Sequence, residues 1–101
     1  MPFILATASH GPQNCGSAYV YHQDPGHGWL AVPRSELARL NIEDKVSSYS
    51  YQSRDRATVY LEEDCDMSAF VKAKEAIGET VYYRDHYIEQ TPIRNMRPFS
   101  A

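Results

Sequence analysis

The stretch from Ala57 to Gly78, ATVYLEEDCDMSAFVKAKEAIG, constrains the fold most because it joins a strand pattern to a helix pattern through a run of acids. Residues 57–61 combine β-branched and aromatic side chains, which favours a strand. Four of the five residues 62–66 are acidic, and their mutual repulsion should bring the chain to the surface. We therefore predict a strand, an acidic turn and a helix.

The helix after the acidic turn should begin with a carboxylate and present one apolar face. Asp66, or alternatively Asp64, is predicted to supply the N-cap oxygen, where its charge also suits the helix dipole. Gly78 suits the left-handed residue that ends many helices. The apolar positions share one face by their spacing, and they are Met67, Phe70, Val71 and Ile77.

Two hairpins are predicted from the alternation of apolar and polar residues. The first joins 18–22 to 29–32 through Asp-Pro-Gly, and the second joins 47–51 to 57–61 through a polar turn. Trp29 heads an apolar strand, so we expect it to be buried against the helix that follows the acidic turn.

A second, shorter helix is predicted from Pro33 to Asn41, and a closing strand at 80–84. Together these elements predict an α+β fold, with an antiparallel sheet of about four to five strands and two helices packed on one face. The chain length predicts a single domain over 1–101, with 1–17 as an N-terminal arm or edge strand and 90–101 as a C-terminal tail.

Composition and charge narrow the class of protein. A 43% hydrophobic and 12% aromatic content predicts an ordered chain, and a net charge of −3 argues against direct nucleic-acid binding. Cys15 and Cys65 form no CxxC pair, which argues against a disulfide framework or zinc ribbon and favours a reducing compartment. The apolar run 3–6 is too short to span a bilayer. We expect a cytoplasmic protein without a cofactor or a membrane partner.

Three segments, YHQDPGHGWLAVP at 21–33, SSYSY at 47–51 and YLEEDCD at 60–66, resemble a group of small proteins carried by bacterial phages and plasmids. The resemblance implies a mobile-element accessory protein that acts in the host cytoplasm. That class includes anti-CRISPR proteins and other inhibitors of host defence. The resemblance implies no catalytic residues.

His22, Asp24 and His27 surround the first turn and could ligate zinc or a similar metal, as in a small metal-dependent hydrolase. Asp-Pro-Gly also forms turns without any metal, and we favour that interpretation. Cys65 near a helix N-terminus could be a nucleophile, but the surrounding carboxylates oppose a thiolate, so we favour a non-catalytic side chain.

The acidic run is also a candidate contact surface for a protein partner. Its carboxylates could steer the protein toward a basic groove, or they could be a solvated turn that caps a helix. These residues are Glu62, Glu63, Asp64 and Asp66.

Tyrosine is enriched where one protein surface anchors another, and this chain has eight. Tyr49, Tyr51 and Tyr82 are therefore further candidates for partner binding. The leading hypothesis is a non-enzymatic protein that binds and inhibits a host protein, such as a nucleic-acid-binding defence complex. The alternatives are the metal-dependent hydrolase and a plain structural domain.

Overall fold

The strands of this protein form one mixed sheet. A computed structural model describes residues 18–101, in which six strands lie in the order β5-β1-β2-β4-β3-β6. All neighbouring strands are antiparallel except β1 and β5, which are parallel. The strands are β1 (Ala18–Gln23), β2 (Gly28–Pro33), β3 (Tyr51–Gln52), β4 (Thr58–Glu62), β5 (Tyr82–Tyr87) and β6 (Arg97–Pro98).

Two α-helices and two short 3-10 helices connect the strands. The α-helices are α1 (Arg34–Arg39) and α2 (Met67–Ala76), and the 3-10 helices are Glu43–Lys45 and Pro92–Asn95. The predicted α+β class is confirmed, with two helices. No helix among residues 18–101 has the length and apolar character that a bilayer span requires.

The prediction of an antiparallel sheet with about four to five strands agrees only in part, because the sheet has six strands and one parallel pair. Two segments account for the difference. Helix α2 carries the chain from the end of β4 back across the sheet, so β5 runs in the direction of β4 and lies parallel to β1. The C-terminal residues, for which the sequence predicts a tail, add β6 beside β3. Ile93 and Phe99 in this region are buried, so 90–101 packs onto the rest of the domain. The predicted N-terminal arm 1–17 lies outside the described residues.

The core lies between the sheet and the two helices. Leu30 and Val32 of β2 pack on the same side as Leu37 of α1 and Phe70 of α2. Because side chains alternate along a strand, Trp29 points to the other side of the sheet. Trp29 is buried as predicted, with 2% exposure, but its predicted packing against α2 was wrong.

Trp29 is covered instead by residues on the side of the sheet away from the two α-helices. Its ring lies 6.2 Å from the ring of Tyr51, and the Arg94 guanidinium lies 5.5 Å from the indole centroid. A strand residue changes face with every step along the chain, so the apolar character of Trp29 alone could not decide which side it joins.

Ile77 also departs from the predicted apolar face. Helix α2 ends at Ala76, and Ile77 is the C-cap residue with 51% exposure. Gly78 follows with a φ of 82°, the left-handed conformation predicted for it. The helix therefore ends before the fourth apolar position can reach the core.

A buried lysine joins the two helices. The Nζ atom of Lys74 lies 3.0 Å from Glu36 Oε1 and 2.8 Å from Glu79 Oε1, and Arg39 bonds both carboxylates. Hydrogen bonds from Arg39 and Lys74 lower the pKa of Glu36 from 4.5 to about 2. This network fixes α1 against the end of α2.

Phe70→Ala should destabilise the protein by about 3–5 kcal/mol because it leaves a cavity in the core. Ile77→Ala, on the same helix, should stay within about 0.5 kcal/mol because that side chain is exposed. Urea denaturation of both variants checks the contrast. Equal losses would mean that Ile77 packs into the core.

The Glu36 carboxylate should make the free energy of unfolding depend on pH in the acidic range. Its pKa is lower in the folded protein than in the unfolded chain, so its contribution is complete above about pH 4.5 and is lost as the pH falls toward 2. Chemical denaturation across this range should show a shallower acid-induced loss for Glu36→Gln than for the wild type. Glu75→Gln, an exposed residue of α2, is the matched control and should follow the wild-type curve.

Candidate functional site

Glu62 is the last residue of β4, and its side chain stabilises the acidic turn that follows. Its side chain is buried, and Oε1 accepts hydrogen bonds from the backbone amides of Asp64 and Cys65, both at 2.9 Å. The other oxygen, Oε2, lies 3.4 Å from Nδ1 of His27. Glu62 is thus an internal support of the turn as well as a source of negative charge.

Asp66 occupies the N-cap position of α2, but its side chain does not cap the helix. The carboxylate accepts bonds from the Ser47 amide at 3.1 Å, from the Ser47 hydroxyl at 2.7 Å and from the Ser50 hydroxyl. The predicted cap by Asp66 was therefore wrong, and the alternative, Asp64, lies two residues before the N-cap position. The buried Asp66 instead ties the 47–50 loop to the acidic turn and brings Tyr49 beside it.

Glu63 faces the opposite side of the sheet from Glu62. Its Oε1 accepts a hydrogen bond of 2.7 Å from the Tyr21 hydroxyl. Desolvation, and then this carboxylate, raises the pKa of Tyr21 well above its ordinary value. Gly28 leaves room for the contact, since a Cβ at that position would overlap both the Tyr21 hydroxyl and Glu63.

The turn between β1 and β2 is built on Asp24. Its Oδ1 accepts from the amides of Gly26 and His27, both at 3.0 Å, which closes the turn. Arg94 bonds the same carboxylate at 2.6 and 2.9 Å and holds the Asp24 pKa well below its usual range. The pair joins the C-terminal 3-10 helix to the first hairpin.

These contacts leave an open cleft on the side of the sheet away from the two α-helices, which we call the acidic cleft. It has a volume of about 240 Å³ and draws on four separate segments of the chain. Its lining residues are His27, Trp29, Tyr49, Tyr51, Glu62, Asp64, Cys65 and Arg94.

The walls of the cleft combine aromatic rings with carboxylates. Tyr49 is 70% exposed, while Tyr51 packs edge-on against Trp29. Among residues 18–101, Nε1 of Trp29 is a buried donor without a hydrogen-bond partner. A buried donor of this kind needs an acceptor that the described part of the chain does not supply.

The structure brings together four of the seven predicted partner-binding residues and separates the other three. Glu63 bonds Tyr21, and Asp66 is buried against the 47–50 loop. Tyr82 lies on β5, at the opposite end of the strand order from β3. The four that share the cleft are Tyr49, Tyr51, Glu62 and Asp64.

Sequence reasoning missed Trp29 and Arg94 as site residues. Trp29 was assigned to the core because apolar strand residues on either face give the same local pattern. Arg94 sits in a segment with no periodic pattern, and nothing in the sequence links it to Asp24, 70 positions away. The Thr91-Pro92 step was the one local signal, since it starts the short helix that carries Arg94.

Cys65 lies in the cleft but is poorly suited to nucleophilic attack. Desolvation, a hydrogen bond to Glu62 and the neighbouring carboxylates raise the pKa of its thiol. The thiolate is therefore scarce at neutral pH, and the one imidazole in the cleft, His27, contacts Glu62. The geometry favours binding over covalent chemistry at this cysteine.

The three residues considered as metal ligands have three different partners. Asp24 bonds Arg94, His27 lies against Glu62, and His22 faces His86. Within the described range 18–101, no group of three or more His, Cys, Asp or Glu side chains is arranged to hold a metal ion.

Comparisons with protein-family models, with curated proteins and with solved structures give no match. The geometry and chemistry of the acidic cleft are therefore the basis for a functional proposal.

Glu62→Ala should destabilise the protein by about 1.5–3 kcal/mol because two backbone amides lose a charged acceptor. Asp64→Ala, two positions along the same turn, should stay within about 0.5 kcal/mol because that side chain is exposed. Guanidinium denaturation of the two variants measures the difference. A Glu62 variant as stable as the wild type would contradict the supporting role of this carboxylate.

Proposed function

We propose that this protein is a non-enzymatic binding protein whose acidic cleft takes a lysine or arginine side chain from a basic surface of a protein partner. The observation that carries the proposal is the convergence of the Glu62 and Asp64 carboxylates with tyrosine rings around one open cleft. Carboxylates attract a cation, and aromatic faces stabilise it further.

The charges of the cleft support a cationic guest. Asp24 neutralises Arg94 through two hydrogen bonds, so that guanidinium does not cancel the other carboxylates. Asp64 is exposed at the rim, and Glu62 lies deeper with 7% exposure. An approaching cation would therefore meet a negative rim first and a desolvated carboxylate afterwards.

The rings supply the apolar part of such a contact. Tyr49 projects at the rim with most of its surface in solvent, and Tyr51 rests on the buried Trp29. Tyrosine and tryptophan are typical anchors of protein interfaces because they bury large areas at low entropic cost. The methylene stem of a lysine or arginine could pack on these rings while its charge reaches Glu62.

The class of partner follows from the resemblance to mobile-element proteins together with the charge of the cleft. A host defence protein that binds nucleic acid presents a basic groove, and an acidic protein can occupy that groove in competition with the nucleic acid. We propose an anti-CRISPR or other anti-defence inhibitor of this kind. The net charge of −3 supports a protein partner over nucleic acid.

The hydrolase alternative has less support from the geometry. Its three candidate ligands make separate contacts, and Cys65 carries a raised thiol pKa. The acidic cleft offers recognition groups and, within the described chain, no activated nucleophile.

Charge reversal by Asp64→Lys should weaken partner binding while leaving the fold intact, because Asp64 is exposed and lies before the N-cap residue of α2. Loss of steering should lower the association rate by about tenfold or more at low salt. The partner is first captured from a bacterial host lysate and identified, and association rates are then measured with the purified partner at two ionic strengths.

The matched control is Glu75→Lys, which makes the same change of charge at an exposed position on α2, away from the cleft. It should bind nearly as well as the wild type. If both variants lose affinity equally, net charge and not the cleft controls binding. If neither does, the acidic cleft is not the contact surface.

A further inference from the structure

Trp29 is the most deeply buried of the residues that line the acidic cleft, with 2% exposure. Its indole ring lies 5.9 Å from the ring of His27 and 6.2 Å from the ring of Tyr51. The Arg94 guanidinium lies 5.5 Å from the same indole, and all three neighbours also line the cleft. The Nε1 atom is a buried donor without a hydrogen-bond partner among residues 18–101.

The neighbouring side chains of the described chain do not supply the missing acceptor. Arginine carries donors only, so Arg94 cannot accept a hydrogen bond from the indole. Glu62 Oε1 accepts from the amides of Asp64 and Cys65. The other oxygen of Glu62 lies against His27. Because buried donors are nearly always paired, an acceptor oxygen on a bound molecule would complete this site.

The charge of the cleft selects the kind of oxygen. Glu62 is the register partner of Trp29 in the antiparallel β2–β4 pair, so their side chains lie beside each other on one face of the sheet. Asp64 adds a second carboxylate to the cleft, whereas Arg94 is neutralised by Asp24. These carboxylates would repel a carboxylate or phosphate guest, but they would not repel a neutral carbonyl.

We propose that the acidic cleft binds a basic residue together with the main-chain carbonyl of that residue, which accepts a hydrogen bond from Nε1 of Trp29. This inference rests on the proposed function and specifies how the guest is presented. The flexible stem of lysine or arginine lets one residue place its cation at Glu62 and Asp64 and its carbonyl at the indole. The cleft volume of about 240 Å³ is below the range of about 300–1,000 Å³ typical of small-molecule pockets, so it suits a single residue.

The need for a carbonyl restricts which part of a partner can bind. Main-chain carbonyls inside helices and sheets already accept hydrogen bonds, so the guest residue lies in a loop or an extended segment. Because Nε1 is buried in the free protein, a side chain at the rim must move as the carbonyl enters. Tyr49 is exposed and is not part of the core, so it can make that movement without unpacking the domain.

The experiment observes the donor directly. Trp29 is the only tryptophan of the chain, so its indole N–H gives a single resonance in nitrogen-15 spectra of the whole protein. The labelled protein is titrated with Nα-acetyl-lysine N-methylamide, which carries the cation and main-chain carbonyls, and with pentylamine, which carries the cation and stem alone. The amide should bind about two- to tenfold more tightly, as expected for one neutral hydrogen bond. It should also shift the indole proton downfield, and pentylamine should shift it far less.

Two variants separate the carbonyl contact from the cation contact. Trp29→Phe keeps an aromatic ring but loses the N–H, so it should bind the amide and pentylamine equally. Asp64→Asn should weaken the binding of both probes while keeping the preference for the amide. Glu75→Gln, an exposed residue of α2 outside the cleft, is the control and should bind both probes as the wild type does. Melting curves first confirm that each variant is folded, and calorimetry then measures the affinities.

A preference for the amide that Trp29→Phe abolishes supports the proposal. If the wild type binds both probes equally, or if its indole resonance does not move, the carbonyl contact is overturned while the cation site of the proposed function stands. If neither probe binds, the carbonyl contact is also overturned, and the proposed function is decided separately by the partner's binding to Asp64→Lys. If Trp29→Phe does not fold, the two probes and the wild-type resonance still decide the outcome.

Discussion

Two buried carboxylates, Glu62 and Asp66, hold together the part of the structure on which the candidate site depends. A carboxylate out of water is costly unless hydrogen bonds satisfy it, and both of these are satisfied by amides or hydroxyls of the acidic turn and the 47–50 loop. Ser50 links them, because its hydroxyl bonds Asp66 and accepts from the Glu62 amide. The turn, the loop and the start of α2 are thereby fixed to one another.

Because of these contacts, only part of the acidic run is available to a binding partner. The sequence concentrates negative charge there, but the fold uses one carboxylate against the loop and another against Tyr21. Only Glu62 and Asp64 reach the cleft. The proposed contact surface is therefore smaller than the acidic run. It combines carboxylates with aromatic side chains, so negative charge alone does not describe it.

The two faces of the sheet have different roles. The helix-covered face holds the core, with Leu30, Leu61 and Phe70 fully buried. The opposite face, away from the two α-helices, carries the acidic cleft.

Local periodicity and turn chemistry act over a few residues, and they were enough to predict the α+β class and most of its elements. The first hairpin, helix α2 and the left-handed Gly78 that follows its C-cap all agree with such patterns. Local patterns could not predict the parallel pairing of β5, the face that Trp29 joins or the pairing of Arg94 with Asp24. Those outcomes depend on contacts between segments that are distant in the sequence and on which face of a strand packs against the helices. The alternating pattern of a strand does not specify which of its two faces that will be.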